Sequence, residues 1–266
     1  MRIVALLGIR NEALYLEKCL THLHRNGIQV CVIDNDSTDD SLAIARKFAP
    51  DCVIGIERVP FQGVYDWVAI LRKKEELTGI IPADWFIHHD GDEIRSSATP
   101  DITLSQAIDA VDRQGYNAIN FDEFVFLPMA EEQKGFEGVD YVTAMQYYYY
   151  FLPSATHRVN AWKNMGQPVD LVSSGGHQAR FEGQNICPDN LVLRHYIGLS
   201  RDHLIRKYTG RIYSQKEVTE RKWHGKRASF KAGDLRLPSR EMMKKMRQNG
   251  KWDRSEPLTQ HYFLGD

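Results

Sequence analysis

Residues 84 to 95 read Asp-Trp-Phe-Ile-His-His-Asp-Gly-Asp-Glu-Ile-Arg, an apolar run of strand type that delivers two carboxylates, Asp90 and Asp92, one residue apart at its end. Along a strand, side chains i and i+2 share a face, so the two carboxylates face one cavity if extended geometry persists through Gly91. Carboxylate oxygens suit Mg or Mn, cations usually held by one or two carboxylates together with the phosphates of a substrate. The chemistry implied is a divalent metal bridging two phosphates. The bland alternative is an acidic turn, since Asp and Gly are ordinary turn formers.

The preceding elements must position that pair. Ile3 to Ile9 is a continuous apolar run that suits a strand buried on both faces of a parallel sheet, and it ends at Arg10-Asn11-Glu12. Apolar residues near helical spacing follow from Ala13 to Arg25, stopped by Asn26-Gly27. Val30 to Ile33 is a second strand, closing on Asp34-Asn35-Asp36-Ser37-Thr38-Asp39-Asp40; a short helix then runs to Pro50, and a third strand covers Cys52 to Val59. This alternation predicts an α/β fold with an open, mostly parallel sheet, whose ligands bind beyond the carboxyl ends of the strands. Three polar clusters therefore share one rim. Ser37, Thr38 or Asp39 could equally cap the second helix, which would give that cluster a purely structural role.

In order and spacing, Asn11-Glu12-Ala13, then Asp34-Asn35-Asp36-Ser37-Thr38-Asp39, then Asp90-Gly91-Asp92-Glu93 resemble the signatures of family 2 glycosyltransferases with the GT-A fold. The form Asp-Asn-Asp-Ser-Thr-Asp is similar to that of a prokaryotic subgroup and of family 92 enzymes. The resemblance implies a GT-A-like, Rossmann-like sheet flanked by helices. It also implies transfer of a sugar from a nucleoside-diphosphate donor, inverting, with Mn or Mg on the diphosphate. Carried over by position, Arg10, Asn11 and Glu12 would lie against the nucleoside, and Asp34, Asn35 and Asp36 would contact base or ribose. Asn35 stands where the commoner pattern has aspartate, so the identity of the base stays open. Asp92 would be the principal metal ligand and Asp90 would reach ribose, metal or a bound water. His177, after Ser173-Ser174-Gly175-Gly176, resembles the late histidine that completes such metal shells, with His195 as its rival.

A carboxylate must also take the proton of the acceptor hydroxyl. Asp122, Glu123, Asp170 and Glu182 are the candidates, and Asp170 ranks first because it falls where the family's base does relative to Asp-x-Asp. For each, a structural ion pair is the competing role. His88 and His89 precede the acidic pair on opposite faces of a strand and are not expected to act together. The aromatic run Tyr147 to Phe151 is read as core and cross-strand packing.

With 266 residues, 42% of them hydrophobic, the chain can bury a full core. The division expected is a transferase domain over 1–200, its donor half about 1–95 and acceptor half about 96–200, followed by a basic helical extension over 201–266. That extension holds 17 Lys and Arg against 8 Asp and Glu, although the whole chain is nearly neutral. Arg201 and Lys207 on its first helix are read as a diphosphate clamp. The competing readings of the basic region are a patch for an anionic membrane and a solvated helical surface. Four cysteines without a Cys-x-x-Cys pair, and the lack of a cleavable leader or spanning segment, suit a cytoplasmic protein, peripheral at a membrane at most. Its partners would be a nucleotide sugar and a glycan, lipid-linked or small-molecule acceptor, and no nucleic acid is expected. Two alternatives are a catalytically silent carbohydrate-binding or scaffold protein of the same fold and a sugar nucleotidyltransferase. The first loop lacks the glycine-rich run that the latter chemistry favours.

Overall fold

A computed structural model describes residues 1–247 and 251–264. In chain order the elements relevant to the site are β1 (Ile3–Ile9), α1 (Ala13–Arg25), β2 (Gln29–Asp34), α2 (Ser41–Lys47), β3 (Val53–Arg58), α3 (Trp67–Thr78), β4 (Trp85–Asp90), β5 (Glu93–Ser96), α4 (Leu104–Arg113) and β6 (Ala118–Phe126). They continue as α5 (Tyr141–Ala144), β7 (Tyr147–Phe151), β8 (Val159–Lys163), β9 (Leu191–Tyr196), α6 (Arg201–Thr209), α7 (Gln215–Thr219), α8 (Gly225–Ala228) and β10 (Lys244–Lys245). The chain divides into two compact units. One comprises 1–61, 66–121 and 156–193, the other 62–65, 122–155 and 194–266. This division differs from a boundary at residue 200, because 194–266 join 122–155.

The first unit carries an open mixed sheet flanked by helices, the α/β class expected. Strands β4, β1, β2 and β3 lie side by side and parallel, while β8 pairs antiparallel with β4 and with the start of β6. Six of the seven β1 residues are buried, as a strand covered on both faces requires. On α1, Tyr15, Leu16, Cys19, Leu20 and Leu23 are buried. Each fully buried leucine there contributes roughly 1.5–3 kcal/mol of transfer free energy. The helix stops where Asn26 Nδ2 donates to the His22 carbonyl at 2.9 Å and Gly27 turns left-handed at φ 71°. Asp66 caps α3 by accepting from Ala69 N at 2.9 Å, and Thr103 with Gln106 forms a capping box on α4.

In the second unit the end of β6 pairs antiparallel with β7, and β7 with β10. Tyr148, Tyr149, Tyr150 and Phe151 are buried, and Phe124 stacks on Trp252 at 4.4 Å, so the aromatic run packs as core. The basic third is less helical than expected. After α6 its described residues form the short α7 and α8, the two-residue β10, three-residue 3-10 turns and irregular backbone. No described helix is long and apolar enough to cross a membrane.

Candidate functional site

The parallel registers set the rim of the first unit. Asp34 aligns with Ile9 and with Arg58, and Asp90 aligns with Gly8, so the loops after β1, β2 and β4 begin side by side. The first two loops are zipped together. Asn11 N donates to Ser37 Oγ at 3.0 Å, Glu12 N to Ser41 Oγ at 2.8 Å and Ala13 N to an Asp39 carboxylate oxygen at 3.1 Å. Thr38 N donates in return to Asn11 Oδ1 at 2.7 Å. Ser37 and Thr38 thus serve the β1 loop rather than capping α2, whose N-cap Asp40 makes no side-chain cap.

Arg10 clamps the same junction. Its Nη1 donates to the carbonyls of Asn35 and Asp36, and its guanidinium lies 3.3 Å from the centroid of Phe61. Asp34 is buried, and both of its carboxylate oxygens accept from Ser37 N, at 3.1 and 3.2 Å. Asn35 Nδ2 donates to the Val59 carbonyl at 2.9 Å, while its buried Oδ1 accepts no hydrogen bond. Asp36, left-handed at φ 54°, takes Arg58 Nε at 2.5 Å and Phe61 N at 2.9 Å. The Arg58 hydrogen bond, then the Phe61 amide, hold its carboxyl below the usual range.

Extended geometry does not persist through Gly91. Strand β4 ends at Asp90, and Gly91-Asp92 form a turn into β5, so the shared-face argument for Asp90 and Asp92 does not hold. The turn leaves Asp90 with its side chain 32% exposed and Asp92 buried at 8%. Packing is tight at Gly91, where a Cβ would meet Glu12 Cβ and Cγ at 3.2 and 3.3 Å. The β1 loop therefore backs directly onto the acidic turn.

A buried cation stands behind Asp90. Lys74 is fully buried and donates to the His89 carbonyl at 3.0 Å, to His88 Nδ1 at 3.2 Å and to Asp90 Oδ1 at 3.4 Å. Burial pushes its ammonium pKa down, against the opposing pull of Asp90 and Glu93. Gly8 lies against the same helix, where an added Cβ would meet Ile70 Cγ2 at 3.1 Å. Sequence reasoning missed Lys74. Its signal was a lysine on the apolar face of α3, in line with the buried Ile70, Leu71 and Leu77.

His88 and His89 take opposite sides, as expected. His88 contacts Lys74 and sets its ring 5.9 Å from Trp67, while His89 Nδ1 accepts from Arg95 Nε at 3.1 Å. Burial first, and then the cations Lys74 and Arg95 respectively, hold both imidazoles well below their ordinary pKa. His177 is exposed at the end of the Gly175-Gly176 loop, with Arg158 Nη1 3.1 Å from its Nδ1. A guanidinium can only donate, so Nδ1 accepts and Nε2 carries the proton. Asp170 sits in the same unit, where its Oδ1 accepts from Ser173 N at 2.8 Å and its backbone bridges Arg180.

Glu182 is exposed in the first unit, and the second unit holds Asp122, Glu123, His195, Arg201 and Lys207. Asp122 accepts from Arg254 Nε at 2.5 Å and from the Tyr150 hydroxyl at 3.0 Å. Glu123, fully buried, lies 2.6 Å from His195 Nδ1, a pairing that holds the proton on Nδ1 and directs the other ring nitrogen away. Arg201 is exposed at the start of α6, and Lys207 Nζ donates to the Ile197 carbonyl at 3.1 Å.

A hard cation held at the acidic turn would take most of its shell from phosphate and water, and would share Asp90 Oδ1 with the Lys74 ammonium 3.4 Å away. Among the described residues no group of three or more His, Cys, Asp or Glu gathers for a metal, so Asp90 and Asp92 would hold one only jointly with a ligand's phosphates.

A family model described as Glycosyl transferase family 2 matches residues 6–61, from the second half of β1 through β2 and β3 with the first two loops. No curated protein matches the sequence. Among solved structures, Staphylococcus aureus TarS is similar at a TM-score of 0.47 and 11% identity, over 74% of this chain and 37% of that one. TarS 1–349 in complex with UDP-GlcNAc gives the same score and identity over 74% of this chain and 58% of that one; the complex with UDP gives them over 74% and 61%. The chain thus spans between about a third and two thirds of the length of these structures.

Proposed function

We propose that this chain is a glycosyltransferase that moves a sugar from a nucleoside-diphosphate donor to an acceptor hydroxyl, with the inversion that its resemblance implies. The observation that carries the reading is the convergence of Arg10 to Glu12, Asp34 to Asp36 and Asp90 to Asp92 at the carboxyl ends of three adjacent parallel strands. That is where open α/β sheets bind nucleotides. The family match over 6–61 covers two of these three loops and supports the same reading.

On this reading, the nucleoside lies over the zipped β1 and β2 loops and the diphosphate over the acidic turn. Asp92, with Asp90, would hold Mn or Mg, which supplies Lewis-acid stabilisation of the departing diphosphate worth several kcal/mol. His177 Nε2–H would donate to the diphosphate. Of the carboxylates considered for the acceptor proton, Asp122 is engaged by Arg254 and Tyr150, and Asp170 caps a turn. Asp170, which lies in the unit carrying the three donor loops, is the first-ranked candidate for the acceptor proton. The acceptor is a glycan, a lipid-linked sugar or a small molecule.

Thermal stabilisation by a panel of UDP, GDP and dTDP sugars, with MnCl2 and with EDTA, tests the donor reading. A donor in excess of its Kd raises the melting temperature by mass action. The expected result is a manganese-dependent rise with one donor class that disappears in Asp92→Ala while the circular dichroism spectrum is kept. An Asp92→Ala protein that binds and turns over the donor as well as the parent would overturn the assignment.

A further inference from the structure

Behind the acidic turn, fully buried polar side chains of the first unit join two loops that are far apart in sequence. Asp90 N donates to Glu93 Oε2 at 3.1 Å, and the same oxygen takes Arg95 Nη2 at 2.6 Å. Arg95 Nη2 also donates to Asn160 Oδ1 at 3.2 Å. Asn160 Nδ2 then donates to two successive carbonyls, Gly176 at 2.9 Å and His177 at 3.2 Å. Gly175 and Gly176 are both left-handed, at φ 67° and 85°, a bend that brings successive carbonyls to one amide. Glu93, Arg95 and Asn160 are at most 1% exposed, and the Arg95 guanidinium lies 4.7 Å from the centroid of Phe121.

Such a network is not explained by stability. Taking an ion pair out of water is expensive, and an apolar replacement of similar volume is often as stable. What a buried, hydrogen-bonded pair can provide is a fixed register between the parts it touches. Asparagine is suited to the junction because one planar group both accepts from the guanidinium and donates to carbonyls. Its two ends lead to the elements whose relative position a diphosphate would read, the Asp90–Asp92 turn and the His177 loop.

We propose that Asn160 is a positioning residue that, through Arg95 and Glu93, holds the His177 loop and the Asp90–Asp92 turn as one rigid pair. The functional meaning rests on the donor-binding reading above; the mechanical coupling does not. Binding groups must be held within about 0.5 Å of their productive positions, and here one side chain fixes both sides.

Asn160→Asp is the discriminating change. It preserves shape and the acceptor for Arg95, removes both donors to the loop, and draws the guanidinium away from Glu93. Backbone hydrogen exchange on the full chain should rise by about 10-fold or more in both 174–178 and 90–93, the loss of roughly one hydrogen bond at each end, with β2 unchanged. His177→Ala should leave exchange at 90–93 at the parent level. Should Asn160→Asp fail to fold, Asn160→Ser removes the carbonyl contacts without adding charge and is read the same way. Faster exchange in 174–178 alone would overturn the coupling, and a rise throughout the unit would reduce Asn160 to a stability role. The nucleotide-sugar panel is run in parallel, where Asn160→Asp should lose most of the manganese-dependent shift. If no nucleotide sugar stabilises the parent, the donor reading fails, and the exchange pattern still decides the coupling.

Discussion

Lowering the pH below about 6.5 should weaken the first unit through two buried histidines, with a limiting slope of about 1.4 kcal/mol per pH unit for each. His88 and His89 are 1% and 0% exposed. His88 faces Lys74, Asp90, Arg95, Arg158 and His177, while His89 faces Arg95, Glu93, His22, Lys74 and Asp92. Burial and the surrounding cations keep both neutral in the folded state, whereas the unfolded chain binds a proton at each near pH 6.5. Below that value the unfolded state therefore binds more protons than the folded one, and stability falls as pH falls. The dependence reaches that limiting slope only where both imidazoles stay neutral in the folded state. The carboxylates whose pKa is lowered, such as Asp36, act below this window and leave it clean. Hydrogen exchange of peptides covering β4, corrected for intrinsic rates and taken at pH 7, 6 and 5, reads the effect in this unit. His89→Gln keeps an acceptor for Arg95 and should remove about half of the dependence. An opening free energy at β4 constant within about 1 kcal/mol from pH 7 to 5 would refute the account of two neutral imidazoles.

Two further outcomes follow from packing and charge. Gly176→Ala should destabilise by about 2–3 kcal/mol, since its Cβ would meet His88 Cε1 at 2.9 Å and Leu71 Cδ2 at 3.0 Å at a left-handed φ of 85°. Gly183→Ala, at φ 69° with nothing within 4 Å, should lose only about 1 kcal/mol, so the difference between their denaturation midpoints isolates the packing part. Arg254→Ala should cost about 1–2 kcal/mol, because it strips Asp122, 5% exposed, of its cation although Arg254 itself is 44% exposed. Adding Asp122→Asn should recover part of that loss in urea titrations; full additivity would mean that the pair is not coupled.

Strands β1, β2 and β4 and helix α1 were legible because apolar runs of fixed period end on polar clusters, and a parallel sheet aligns those ends without further information. The acidic turn was legible in its residues and not in its shape. The surroundings of that turn include Glu12, which packs against Gly91 from a loop almost eighty residues earlier and which local sequence does not show. Lys74 and Arg95 were not legible as buried groups. A cation on a helix or strand reads as solvent-facing until another element brings a carboxylate or a carbonyl to it, as Asp90, His89 and Glu93 do here. The pairing of Glu123 with His195 joins residues 72 apart in sequence, so single-chain patterning gave each a role by itself. The basic third misled for a related reason, since its composition suited a helical surface while side chains such as Phe230 and Phe263 are buried in a core.

Strand β8 is the last strand to be made among those flanking β4, although it lies between β4 and β6 in the sheet. On the ribosome, β1, β2, β3 and β4 are complete by residue 90, yet one edge of β4 stays open until residues 159–163 emerge. Between them the chain synthesises 122–155, which belong to the other unit. The nascent first unit therefore carries an uncovered strand edge and the buried half of the Asn160 network without its partner through some seventy residues of elongation. A stall or a premature stop in that window would release a species with a ready template for intermolecular strand pairing.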